Sequence, residues 1–249
     1  MSRGIGNILP YRFASYTFTN QVNIYMKIIS WNCRGKFREK YSYILSQDAD
    51  IYVIQECENP EKHKKQFAGF LPNYIWYGLK DSKGLGIFAK EHVKLTQNNW
   101  PTYCLRHFIS VNVNDSVDLI GVWASPPYIE EYYIYQSVNF DRFTENTIII
   151  GDFNSNARWD KEHGERNHTA VVQKLKTKNI VSAYHYVTRE NAGLESQSTF
   201  QMYKHKDKKY HIDYCFLSPT KLKHFSILDA EAWMEHSDHF PIQVTIQDN

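Results

Sequence analysis

The chain has 249 residues, 42% of them hydrophobic and 15% aromatic, with a formal net charge of only +2. That supplies one large core, and it excludes a surface that attracts polyanions everywhere; any polyanion site must come from local clustering. No apolar run reaches transmembrane length, the first residues lack a signal-peptide core, and the cysteines (Cys33, Cys57, Cys104, Cys215) form no CxxC pair. A zinc site of standard spacing is therefore not expected, and free thiols in a reducing, cytoplasmic setting are.

Residues 1–25 carry Arg3 and Arg12, no acidic residue, and aromatics without a clean period. They read as an arm or edge element packed on the domain, or as an appendage to it. The domain proper is expected over residues 26–249. Lys27-Ile28-Ile29-Ser30-Trp31-Asn32 reads as a strand ending in Asn32, just ahead of Gly35. Residues 38–47 suit a short amphipathic helix with Tyr41, Ile44 and Leu45 on one face. Asp50-Ile51-Tyr52-Val53-Ile54-Gln55-Glu56 is the next strand and ends in a carboxylate; the strand–helix–strand rhythm suggests a parallel pair. Asn59-Pro60-Glu61 opens a helix whose apolar face holds Phe67 and Phe70.

Short strands follow at residues 74–77, 86–89, 107–113 and 117–123, with a hairpin turn at Asn114-Asp115. Pro126-Pro127 breaks the chain, and residues 128–143 read as a helix. Residues 147–151 are a β-branched run ending in Gly151. Asn167 or Thr169 caps a helix running to about Lys178, and residues 180–184 read as a strand. After a polar loop at 189–197, Thr199-Phe200 starts another strand, and residues 204–209 form a basic turn. Tyr210-His211-Ile212-Asp213-Tyr214-Cys215-Phe216-Leu217 is a strong strand with a carboxylate inside it. Ser237-Asp238-His239-Phe240-Pro241 precedes a last strand at 242–246. With no repeat and no low-complexity linker, one domain of two packed sheets with helices outside is expected.

Polar groups gather where these strands end: Asn32, Glu56, Asp152 with Asn154, Asp213, and Asp238 with His239. Each alone has a bland reading as a turn former or a solvated strand end. Asp213 is the hardest to dismiss, because a carboxylate in an apolar run costs several kcal/mol (roughly) unless paired. Asp152 and Asn154, two residues apart on an extended chain, would face the same side and suit a water, a metal or a phosphate. Glu56, Asp238 and the Asn32 amide offer oxygen ligands for a hard cation, Mg²⁺ most naturally, with Mn²⁺ as a substitute. His239 beside a carboxylate can hold a proton, with Asp213 orienting its ring and raising its pKa. Together these suit metal-assisted attack of water on a phosphate ester.

The ordered motifs Ser30-Trp31-Asn32-Cys33-Arg34-Gly35, Gln55-Glu56, Gly151-Asp152-Phe153-Asn154, His211-Ile212-Asp213-Tyr214 and Ser237-Asp238-His239-Phe240-Pro241 resemble the signature of the endonuclease/exonuclease/phosphatase superfamily. The resemblance implies a four-layer α/β sandwich, with two mixed sheets face to face and helices on the outer faces. It implies that Glu56 binds the metal, assisted by Asn32 and Asp238. It also implies that Asp152 positions or activates the water, that Asn154 helps hold it, and that His239, oriented by Asp213, contacts the scissile phosphate. One departure stands out. Many family nucleases place a Tyr or His after the middle strand, near the leaving group, and Gly121-Val122-Trp123-Ala124-Ser125-Pro126-Pro127-Tyr128 has none in the expected place. Tyr128, and more weakly Ser125, are the candidates, or a metal-bound water serves instead.

The motifs do not choose among phosphate esters, so the rim must. Lys204, in the basic turn, could track a backbone; Arg158 and Trp159 could contact a phosphate and stack on a base; Arg34 beside Asn32 is similar. Short loops disfavour a dedicated abasic-site enzyme, and the lack of a secretion pattern disfavours a secreted lipid phosphodiesterase. The expectation is a monomeric Mg²⁺-dependent DNA nuclease without membrane contact. A phosphatase or phosphodiesterase for a small molecule or lipid headgroup is the alternative, and a catalytically inactive binding module the second.

Overall fold

The computed structural model describes Met1, residues 24–205 and residues 207–248. The proposed arm at 1–25 therefore lies almost wholly outside the described residues. In chain order the elements are β1 (Ile24–Asn32), α1 (Tyr41–Leu45), β2 (Ile51–Cys57), β3 (Asn73–Lys80), β4 (Lys83–Ala89), β5 (Leu95–Gln97), β6 (Phe108–Val113), β7 (Val117–Trp123), α2 (Ile129–Asn139) and β8 (Thr147–Asp152). There follow α3 (His168–Lys176), β9 (Val181–Ser182), α4 (Ala183–Thr188), β10 (Phe200–Gln201), β11 (Lys209–Tyr210), β12 (Asp213–Leu217), β13 (Leu222–Ile227), α5 (Ala230–Trp233) and β14 (Ile242–Asp248).

Two six-stranded mixed sheets result, in the orders β13-β14-β1-β2-β4-β3 and β5-β6-β7-β8-β12-β9, with β10 and β11 as a small separate ribbon. The pleat explains the layers. Ile28, Val53 and Ile87 on the first sheet meet Leu119, Ile148 and Ile150 on the second, forming the core between them. The alternate residues point outward. Ile120, Ile149 and Phe216 pack under Tyr132 and Tyr135 of α2 and Val171 and Leu175 of α3. On the far side, Trp31, Tyr52 and Phe88 lie under Phe37, Phe67, Phe70 and Trp233. Both faces of the central strands are covered, which is why Ile148, Ile149 and Ile150 can all be fully buried. This is the four-layer α/β sandwich.

The differences from the sequence reading are local. The helix expected at 38–47 is a 3-10 turn followed by the five residues of α1. Asn59 caps only a 3-10 turn, Pro60–Lys62, although Phe67 and Phe70 are buried as expected. Asn167, not Thr169, caps α3 by accepting from the Ala170 N–H at 2.8 Å. The strand expected at 180–184 shrinks to β9; Ser182 then caps α4, whose Ala183 and Tyr184 are buried. Strands β5 and β13 and helix α5 were not anticipated.

Two pairings set the stage for the polar residues. Strand β1 runs between β14 and β2, antiparallel to the first and parallel to the second. Strand β8 runs between β7, parallel, and β12, antiparallel, so that Trp123, Asp152 and Asp213 lie abreast. At Gly151 the backbone has φ +153°, and an added Cβ would fall 1.9 Å from the Val122 carbonyl oxygen. Only glycine lets β8 lie that close to β7. Gly151→Ala should therefore cost about 3 kcal/mol or more, read as a lower midpoint in urea denaturation. A midpoint equal to wild type would contradict the pairing of β7 with β8.

Candidate active site

The polar strand ends converge at one edge of the sandwich. Asp152 ends β8 and is fully buried; Asp213 opens β12 directly opposite it and is 2% exposed. Two carboxylates facing each other across a ladder repel. The imidazole of His239, 6% exposed, relieves this: its Nδ1 lies 3.0 Å from Asp213 Oδ2, and its Nε2 3.9 Å from Asp152 Oδ2. Burial pulls the His239 pKa down, but Asp213 and then Asp152 outweigh it, and the ring is held well above the ordinary histidine range. Burial likewise pushes the Asp152 carboxyl up; the His239 charge opposes that rise, Asp213 adds to it, and hydrogen bonds from Asn32 and the Asn154 N–H offset part of it.

The trio is stapled from several sides. Thr199 Oγ1 accepts from the backbone N–H groups of Ile212 and Asp213, both at 3.0 Å, and its carbonyl accepts from the Phe240 N–H at 2.7 Å. Ser237 Oγ donates to the Asn32 carbonyl at 2.7 Å and accepts from the His239 N–H at 3.1 Å. Trp31 Nε1 donates to the His239 carbonyl at 3.1 Å, and the Phe200 ring lies 4.5 Å from the imidazole.

Asn32 carries the site across to the other sheet. Its Nδ2 donates to Asp152 Oδ2 at 2.9 Å and faces Glu56 Oε1 at 3.5 Å, while its Oδ1 accepts from the Arg34 N–H at 3.0 Å. In this orientation Asn32 is a donor to both carboxylates; to ligate a metal through Oδ1 the amide would have to turn over. Glu56 is not a simple strand end. It sits at a bulge in β2, between residues that pair in different registers, with φ +62°. The extra residue turns its carboxylate into the site.

Asn154 also arrives by a different route from the expected one. The strand ends at Asp152, and Asn154 turns back with φ +47°, a conformation asparagine tolerates. Its N–H donates to Asp152 Oδ1 at 2.9 Å, and its Nδ2 to Asp152 Oδ2 at 3.2 Å and to the Ala124 carbonyl at 3.1 Å. A tight turn, not the pleat, brings the two side chains together.

Asp238 lies next to His239, with its carboxylate 3.4 Å from Arg34 Nε. Lys204 is exposed at the end of a 3-10 turn. Arg158 and Trp159 both lean on Tyr210, the guanidinium 5.5 Å and the indole 5.1 Å from its ring. Tyr128 stands 40% exposed at the start of α2, and Ser125 Oγ is tied to His107 Nδ1 at 2.9 Å. Sequence reasoning missed Thr199, Ser237 and Lys83, whose Nζ sits 2.6 Å from Glu56 Oε2. Loop hydroxyls such as Thr199 and Ser237, and a lysine at the start of β4, carry no sequence signal for the contacts they make.

Among the described residues, Asp152, Asp213 and His239 form a group compact enough to hold a metal, with ligand atoms within 4.8 Å of one another. A protonated His239 already balances one of the two carboxylate charges of that group. The partly open carboxylates are Glu56 and Asp238, with 18% and 14% of their side chains exposed. Carboxylates of that kind suit a hard divalent cation.

Residues 29–239 match the model of the Endonuclease/Exonuclease/phosphatase family. The chain belongs to that family. It is a hydrolase of phosphate ester bonds, of a divalent-metal-dependent class. The fold is similar to that of a 3′–5′ exonuclease from Neisseria meningitidis, at TM-score 0.65 and 22% identity over 89% of this chain and 100% of that one. It is also similar to a Neisseria 3′ phosphatase bound to a product DNA hairpin (0.62, 21%, over 90% and 99%) and to an AP endonuclease from Leishmania major (0.65, 15%, over 90% and 88%). No curated protein sequence matches significantly. Among the described residues, no helix is long and apolar enough to cross a membrane.

In this hydrolase the His239 charge depends on Asp213. Asp213→Asn removes the larger of the two charges that raise its pKa. The His239 ring, followed by NMR pH titration, should then titrate below its wild-type value. An unshifted titration would mean that Asp213 does not govern the ring.

Proposed function

We propose that the chain is a Mg²⁺-dependent DNA nuclease. The observation that carries this reading is the continuous set of contacts from His239 through Asp152 and Asn32 to Glu56. Those contacts put a base, a cation and a metal carboxylate around one small volume. Glu56, Asp152, Asn154, Asp213, Asp238 and His239 are all present, which disfavours an inactive binding module. DNA is favoured over a small ester by the rim. Arg34 and Lys204 lie close enough to Lys40 for their charges to act on it, and Tyr203 beside Lys204 is 72% exposed. Clustered cations with an exposed aromatic suit a phosphate backbone with an unpaired base. A similar fold with a DNA hairpin bound supports the same choice.

The residues then act as follows. Asp152, its carboxyl pushed up by burial, takes the proton of the attacking water. The charged His239, held by Asp213, donates from Nε2 to a phosphate oxygen. Asn32 and Asn154 keep Asp152 aimed. Glu56 and Asp238 would hold Mg²⁺, for which Mn²⁺ can substitute, and the ion would supply charge stabilisation at the phosphate.

Nicking of supercoiled plasmid tests this reading. Wild type should nick in Mg²⁺ and stop with chelator, and Asp152→Ala should lose at least ~10³-fold. Wild type that leaves the plasmid and single-stranded oligonucleotides intact would overturn the DNA reading. His239→Ala should lose at least ~10²-fold in turnover, whereas a loss of a few-fold would leave it only a packing role. Glu56→Gln should raise the Mg²⁺ concentration needed for half-maximal rate; an unchanged requirement would remove Glu56 from the metal.

A further inference from the structure

The contacts that start at His239 do not stop at Glu56. Lys83, the first residue of β4, reaches back so that its Nζ lies 2.6 Å from Glu56 Oε2 and 5.9 Å from the centre of the Trp123 ring. Its side chain is 49% exposed, so the ammonium is free to move. Asp152, Asn32, Glu56 and Lys83 thus form one series, with the proposed base at one end and an ammonium at the other. In-line displacement at phosphorus needs this separation of charges, because the attacking and departing oxygens lie on opposite sides.

Arg106 lies close enough to His107 to help lower its pKa, but Lys83 is the cation that pairs with Glu56. His107, 4.3 Å from the Trp123 ring, is tied to Ser125, and burial pushes its pKa down to about 4, so it is neutral. Trp123, the last residue of β7, offers no acidic proton. Arg34, the other cation on a proposed metal carboxylate, is engaged with Asp238 at the opposite flank beside His239.

We propose that Lys83 is a catalytic residue: with a divalent cation on Glu56, its ammonium leaves Oε2 and donates a hydrogen bond to the departing oxygen. This rests on the reading of the site as a Mg²⁺-dependent phosphodiesterase. As water adds, its proton passes to Asp152. The phosphorus bond to the departing oxygen breaks with the electron pair on that oxygen. Lys83 stabilises the resulting charge, and solvent water supplies the proton that completes the alcohol. In the metal-free protein the same ammonium neutralises Glu56, so it competes with an incoming cation.

The test uses Lys83→Met and Lys83→Arg with two readouts. The first is Mn²⁺ affinity without substrate, by electron paramagnetic resonance. Lys83→Met should bind Mn²⁺ at least ~3-fold more tightly, since the competing charge is gone. The second compares an oligonucleotide, whose alkoxide leaves poorly, with a p-nitrophenyl phosphodiester, whose phenolate leaves unaided. Lys83→Met should lose at least ~10-fold in kcat on the oligonucleotide and little on the nitrophenyl ester. Lys83→Arg should recover part of the oligonucleotide rate. Equal losses on both esters, or no loss on either, would overturn the role of Lys83 while leaving the nuclease reading standing. Unchanged Mn²⁺ affinity would overturn the competition. Wild type inactive on both esters would instead overturn the reading of the site, and the role of Lys83 with it.

Discussion

Two carboxylates and an imidazole share a site almost closed to water, and much of the molecule exists to make that tolerable. Asp152 and Asp213 are opposite one another on neighbouring strands, so neither could be ionised there alone. The His239 ring bridges them, and it can do so only because the segment 237–240 is pinned between β1 and Thr199. Thr199 in turn occupies the two N–H groups where β12 begins. Each staple satisfies a buried backbone group that would otherwise be unpaired, so the network is complete where incompleteness would cost most.

Moving outward from that trio, burial falls and adjustability rises. Asp152, Asp213 and His239 are fixed by short hydrogen bonds and lack room to rearrange. Glu56 and Asp238 are partly open, and each is met by a long, half-exposed cation, Lys83 or Arg34. A rigid inner set and a movable outer set suit the two demands on such a site. The inner groups must be aimed before substrate arrives, whereas Glu56 and Asp238, in the proposed metal-binding role, must admit and release an ion.

The sequence exposed the inner set for a physical reason. A charge inside an apolar run, as at Asp213, is costly enough to be visible without coordinates, and a carboxylate or amide after a β-branched run marks a strand end. Two packed sheets with helices outside were legible from the run of short strands and the absence of a linker, whereas the four-layer order was what the resemblance of the motifs implied. What was hidden is backbone geometry. Glu56 owes its direction to a bulge, and Asn154 owes its place to a left-handed turn, neither of which periodicity reports. The strand expected at 180–184 ran into the first residues of α4, Ala183 and Tyr184, yet Ser182 caps that helix and contacts with β12 and β13 hold it. Lys83 and Thr199 act through contacts between segments distant in the chain.

The placement of β1 between β2 and β14 bears on how the protein is made. Asn32 emerges some two hundred residues ahead of Asp238, His239 and β14. At about 5–20 residues per second, that interval is about 10–40 s. Throughout it, the edge of β1 that β14 will cover has no partner, and once Asp213 has emerged the Asp152–Asp213 pair still awaits its counter-charge. Until β14 has joined, a nascent chain lacks Asp238 and His239 at the site, and a chain stopped short of them would carry most of the fold's core without the assembled site.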